Sequence, residues 1–124
     1  MHYAASLQAM LRLLKPGALL VVTCASYGRG AHGTRWRFPD VSLTSQLEEA
    51  GWADYYMNIG PAEVAAVLQE RFWSYYRFYY RKSPGDMYMV AIKAGGHHKF
   101  VDAKEFALYD AAAIEVDPYD AAEL

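Results

Sequence analysis

The sequence holds a single cysteine, Cys24, so no internal disulfide is possible. Its place inside an apolar run marks it as a small buried hydrophobe in a reducing compartment and argues against a reactive thiol. Membrane character is lacking as well. No apolar stretch approaches the roughly 20 residues of a spanning helix, and the N-terminus has neither the basic nor the apolar region of a secretory signal, so the expected location is cytoplasmic. Charge of one sign is scarce too. Twelve Lys and Arg against fourteen Asp and Glu leave a formal net charge of -2, which argues against a general nucleic-acid binder, because such a protein neutralises phosphates with clustered cations.

What is present is apolar and aromatic. Hydrophobic residues make up 54% of the 124 positions, ample for one small core. Eleven Tyr stand against five Phe, which points to amphipathic aromatic faces, since each buried Tyr hydroxyl needs a partner. The charge is unevenly placed. Residues 1–94 carry ten Lys/Arg and seven Asp/Glu, a balance of +3, whereas residues 95–124 carry two and seven, a balance of -5. The chain therefore divides into a main unit, 1–94, and an acidic C-terminal tail, 95–124.

Leu7, Met10, Leu11 and Leu14 recur at helical spacing and predict an amphipathic helix over 2–14, stopped by Pro16 and Gly17. The run Ala18 to Ala25 is apolar at alternate and intervening positions alike, the pattern of a strand covered on both faces. A loop follows over 26–40, rich in Gly and basic residues, and would leave the carboxyl end of that strand, where open α/β sheets bind ligands. A short helix is read over 44–50. Val64, Val67, Leu68 and Phe72 predict another over 61–71, opened by Pro61. Trp73 to Lys82 and Met87 to Lys93 read as an antiparallel hairpin around Ser83-Pro84-Gly85-Asp86, with Tyr76, Phe78 and Tyr80 on one face and Tyr75, Arg77, Tyr79 and Arg81 on the other. The tail allows a short helix over 102–113.

This order of elements, with Leu13-Leu14-Lys15-Pro16-Gly17 leading from helix to apolar strand, resembles the carboxy-terminal half of a class I S-adenosylmethionine-dependent methyltransferase over about 3–94. Thr23-Cys24-Ala25-Ser26, Gly33-Thr34-Arg35, Tyr55-Tyr56 and Asn58 are similar to a bacterial subgroup of these enzymes. The resemblance implies a partial Rossmann-like α/β fold with a three-stranded mixed sheet, one strand plus the C-terminal antiparallel hairpin, and two to three helices. The three strands would be the family's fifth, sixth and seventh, with the seventh between the other two. It also implies S-adenosylmethionine as methyl donor. The family's glycine-rich donor loop and the acidic residue that holds the ribose have no counterpart before Tyr3, so no cofactor-binding residue is assigned in this chain. The edge of strand 18–25 would lie unpaired and invite association, as a homodimer or with a chain that supplies the missing half. A non-catalytic, truncated interaction or dimerisation module is the alternative.

In a complete enzyme of this kind the loop would flank the acceptor. His32 is then the candidate catalytic residue, able to take a proton from a hydroxyl, and Arg35, Thr34 and Tyr56 are candidate substrate-binding residues, the Arg suited to an anionic group. Three other patterns are better read blandly. Gly28-Arg29-Gly30-Ala31-His32-Gly33 matches a dinucleotide fingerprint, but the residues after it do not open a helix. Tyr and Arg alternate over 75–81 as in single-strand binders, yet the same pattern covers a neighbouring helix with rings while the Arg heads reach water. His97-His98 has no ligand spacing with His2 or His32, so no metal is expected.

Overall fold

Asp86–Lys93 reads Asp-Met-Tyr-Met-Val-Ala-Ile-Lys, apolar at almost every position, and such a segment is stable only with neighbours on both edges and cover on both faces. The computed structural model, which describes residues 2–30, 57–96 and 112–120, supplies those neighbours. Helix α1 (His2–Leu13) leads to strand β1 (Leu19–Ala25). Helix α2 (Pro61–Val67), a 3-10 turn (Glu70–Phe72) and strands β2 (Trp73–Arg81), β3 (Asp86–Lys93) and β4 (Ile114–Val116) follow. The result is a small α/β domain with an open four-stranded sheet in the order β1-β3-β2-β4, and every neighbouring pair is antiparallel.

The expectation of a three-stranded mixed sheet is corrected on both counts. β1 and β2 do run the same way, but β3 turns back over residues 82–85 and lies between them, so no parallel pair forms. The fourth strand comes from the tail. Ile114–Val116 closes the outer edge of β2, with Val116 opposite Phe78 and Ile114 opposite Tyr80.

Register assigns the two faces. Leu20, Val22 and Cys24 lie opposite Ala91, Met89 and Met87, on the face that carries Tyr76, Phe78 and Tyr80. Leu7 of α1 and Val64 and Ala65 of α2 close this core, in which Met87, Met89 and Ala65 are fully buried. Tyr75, Tyr79, Val90 and Ile92 form a second buried cluster on the opposite face. The predicted division of the β2 rings between two faces is therefore the observed one. β1 departs from its prediction. Leu19 and Val21 are about half exposed, at 50% and 47%, because β1 stands at the sheet edge and both helices pack on the other face.

The helices end for local reasons. Pro16 and Gly17, the latter at φ 79, turn the chain out of α1. Lys93 Nζ then donates to the carbonyls of Leu11 and Leu14, each at 2.7 Å, placing a cation on the orphan acceptors of the helix end. α2 stops at Val67, short of the predicted Arg71, because the Trp73 indole donates to the carbonyl of Leu68 at 3.3 Å and a 3-10 turn takes over at Glu70. The helices read over 44–50 and, but for its last two residues, 102–113 lie outside the described residues.

Gly85 combines a left-handed backbone with close main-chain neighbours. It sits at φ 90, and a Cβ there would come within 2.8 Å of the Arg29 amide nitrogen and 3.0 Å of the Tyr27 carbonyl oxygen. Both obstacles are main chain and cannot rotate away. Gly85→Ala should therefore cost about 1–3 kcal/mol, seen in thermal unfolding as a midpoint several degrees lower, with no change in the folded circular dichroism.

Candidate functional site

The carboxyl end of β1 is where the chain leaves the sheet and comes back. Gly30 precedes, and Met57 follows, the segment 31–56 that carries His32, Thr34, Arg35 and Tyr56, so all four lie outside the described residues. The two stems of that segment are bonded to each other and to the sheet. Ile59 N–H donates to the Ala25 carbonyl at 3.1 Å, and Asn58 Nδ2 donates to the Arg29 carbonyl at 2.7 Å. Ser26 N–H donates to Gly85 at 2.8 Å, and the Tyr80 hydroxyl donates to the Tyr27 carbonyl at 2.5 Å.

Two side-chain pairs reinforce this frame. The Tyr27 hydroxyl donates to Glu63 Oε2, which also accepts the Gly60 N–H at 3.0 Å, so one carboxylate ties the outgoing stem to the start of α2. Gly60 makes the approach possible, because a Cβ there would overlap the Tyr27 ring. The Arg29 guanidinium pairs with Asp86, joining the outgoing stem to the first residue of β3. With Thr23, Cys24, Ala25 and Tyr88, this ion pair lines a cleft of about 260 Å³.

The electrostatics keep the neutral groups neutral. Burial, with the Asp86 and Glu63 carboxylates adding to it, pushes the Cys24 thiol up to about 11, and its Sγ–H points at the Ile59 carbonyl 3.5 Å away. Burial and the bond to Glu63 push the Tyr27 hydroxyl up to about 12. Neither group is a nucleophile near neutral pH. Ser26 Oγ and Asn58 Oδ1 are buried with no hydrogen-bond partner among the described residues. The chemical capacity of the cleft lies in Arg29, a planar cation with five N–H donors, of which the contact with Asp86 occupies one. It can orient an anionic or carbonyl-bearing group.

The cation that lines this cleft is thus Arg29, which in the sequence stands inconspicuously inside the G-x-G pattern. Its partner Asp86 lies 57 positions away, and Tyr27 and Glu63 are 36 apart, so no local spacing could join them. Asn58, noted for its similarity to the methyltransferase subgroup, serves as a stem clamp. On the far face, Tyr75 and Tyr79 are buried with their hydroxyls 3.3 Å apart, and the Arg77 guanidinium is held by the Tyr76 carbonyl and by Glu115. Those rings present no open surface for bases to stack on. Among the described residues no group of His, Cys, Asp and Glu has the arrangement of a metal site, and no helix is long and apolar enough to cross a membrane.

The chain matches no family model, no curated protein and no solved structure.

Two measurements check the electrostatics. Cys24 should react with iodoacetamide in the folded protein about a hundredfold more slowly than in urea, the ratio of thiolate that a rise from 9.0 to about 11 leaves; equal rates would show that the thiol is not protected. Tyr27 keeps its proton in the folded state between its ordinary 10.0 and about 12, while the unfolded chain has released it. Stability is thus whole below pH 10 and falls as pH rises towards 12. Urea unfolding should record that fall, and Tyr27→Phe should make it shallower.

Proposed function

We propose that this chain is the acceptor-side half of a class I methyltransferase-type fold, and that it takes part in methyl transfer from S-adenosylmethionine once the donor is held by polypeptide outside the described residues. One observation carries the reading: the strand order β1-β3-β2. Strands consecutive in sequence usually lie side by side, so a simple meander would have set β2 against β1. Here the last strand of the hairpin slips in next to β1, which is the placement that the resemblance implies for the fifth, seventh and sixth strands of that fold. The Leu13-Leu14-Lys15-Pro16-Gly17 turn leads into β1 as the same resemblance requires.

The site supports the acceptor half of the chemistry. Both ends of the segment with His32, Thr34, Arg35 and Tyr56 are fixed at the carboxyl end of β1, the side of an open α/β sheet on which ligands bind. In this reading His32 removes a proton from the acceptor, while Arg35, Thr34 and Tyr56, joined by Arg29, hold it in line for displacement.

The described residues do not fit the donor. No strand among them has a parallel neighbour from which a glycine-rich turn could lead to a helix, the Gly60 amide at the start of α2 is taken by Glu63, and Asp86 is held by Arg29. No donor-dependent step is therefore assigned to them. In this reading completion takes place across the edge of β1, which is open among the described residues, by a chain carrying the donor site; a second copy on that edge gives an assembly without the donor. The alternative, a non-catalytic assembly module, draws on the same edge and dispenses with the chemistry.

Calorimetric titration of the chain alone with S-adenosylmethionine should show no saturable heat; clear binding would overturn the placement of the donor elsewhere. In an assembly that does transfer labelled methyl, His32→Ala should lower the rate by about 10²-fold or more. A rate left unchanged would remove His32 from the chemistry.

A further inference from the structure

In an antiparallel ladder each residue of an edge strand directs its amide and carbonyl either towards the neighbour or away from it, in strict alternation. Two contacts fix the phase in β1. Lys93 N–H donates to the Ala18 carbonyl and Ser26 N–H to Gly85, so the even-numbered residues face β3. The odd-numbered residues face outward, as the bond from Ile59 N–H to the outward carbonyl of Ala25 shows independently. That bond closes the edge at Ala25. Among the described residues, what is left open is the amide and carbonyl of Leu19, Val21 and Thr23, three residues symmetric about Val21.

This span has none of the features that discourage pairing. Leu19–Ala25 contains no charge and no proline, and its pairing with β3 has no bulge. Apolar side chains flank it in both layers. Leu19 and Val21 are half exposed on one face, while Met10 and Leu13 of α1, 44% and 84% exposed, flank it on the other. Met10, Leu13, Lys15, Ala18 and Leu19 border a groove of about 490 Å³ along the edge.

We propose that two copies of this chain pair antiparallel through β1, with Val21 opposite Val21 of the second copy. Leu19 then faces Thr23 in both directions, and the six open backbone groups of each copy satisfy those of the other. Self-complementarity selects a second copy as the occupant. The two-fold sets an apolar side chain on its own counterpart at the centre, and it brings the exposed Met10 and Leu13 of the two α1 helices into one layer. The single charge bordering the groove, Lys15, falls opposite Tyr27 and so meets no like charge. The assembly stops at two, because among the described residues the other sheet edge is β4, only three residues long with the charged Glu115 at its centre. The product is one eight-stranded sheet. This rests on the free edge invoked in the proposed function and not on methyl transfer.

Light scattering at about 100 µM, a concentration that would populate even a weak micromolar pair, should give twice the 14.0 kDa of the chain. In a Cys24→Ser background, Val21→Cys should crosslink under mild oxidation, since directly opposed hydrogen-bonded residues have Cα atoms about 5.5 Å apart, inside disulfide range. Leu19→Cys should not crosslink, because it lies four positions out of register from its own copy, about 13 Å along the strand. Val21→Lys sets like charges against each other and should weaken the dimer at least about tenfold while keeping the folded circular dichroism. If that variant fails to fold, the two cysteine variants decide. A monomer would overturn the proposal, and so would equal crosslinking at positions 19 and 21. Either result leaves the methyl-transfer reading to its own donor titration and labelling, and failure of those leaves the dimer intact.

Discussion

The fold turns on the need of β3 to satisfy its backbone where water cannot reach. Met87, Met89, Val90, Ala91 and Ile92 are all buried, so every amide and carbonyl along β3 must find a protein partner. β1 on one side and β2 on the other provide them. Both outer strands are placed by this requirement, and each carries further structure with it. β2 brings the ring-bearing face that α1 and α2 cover. β1 brings the chain segment whose two ends are fixed at its carboxyl terminus. Even the end of α1 is joined to β3, through the ammonium group of Lys93.

The region beyond β1 is organised by polar contacts of long sequence separation. Glu63 accepts from both Tyr27 and Gly60, and Arg29 pairs with Asp86, so the outgoing stem is fixed to α2 and to β3. A rigid frame of this kind suits a site that must orient a substrate, because residues on a well-held base lose little freedom when they bind. It also explains why the groups closest to the strand end, the Cys24 thiol and the Tyr27 hydroxyl, are held in their neutral forms. They support the site and do not supply its reactivity.

Most of the element plan was legible in the sequence, and the failures have physical causes. Period 3.6 in 2–14 and period 2 in 73–81 gave α1 and β2 to within a residue of their observed ends, and Ser83-Pro84-Gly85-Asp86 marked the hairpin. β4 was missed because three residues cannot establish a period. The antiparallel character of the sheet was missed because an apolar run such as Leu19–Ala25 reads alike at an edge and in a parallel core. Cover by neighbouring elements, which distinguishes the two, is not a local property. Of the candidate site, the location at the end of β1 was legible, whereas the Arg29–Asp86 and Tyr27–Glu63 pairs were not, since they exist only once β1, β3 and α2 are assembled.

The separation between β1 and β3 has a kinetic side. β2 and β3 are joined by a four-residue turn, but Ala25 and Asp86 are 61 positions apart and Leu19 and Ile92 are 73 apart. Closing the longer loop costs about 2 kcal/mol more in chain entropy than closing the turn. The hairpin therefore has the head start, and β1 is fitted to a surface that already exists. Until it docks, the apolar flank of β3 is open to any extended strand in solution, so the step most exposed to mispairing on the way to the native state is the arrival of the strand that ends up at the boundary of the sheet.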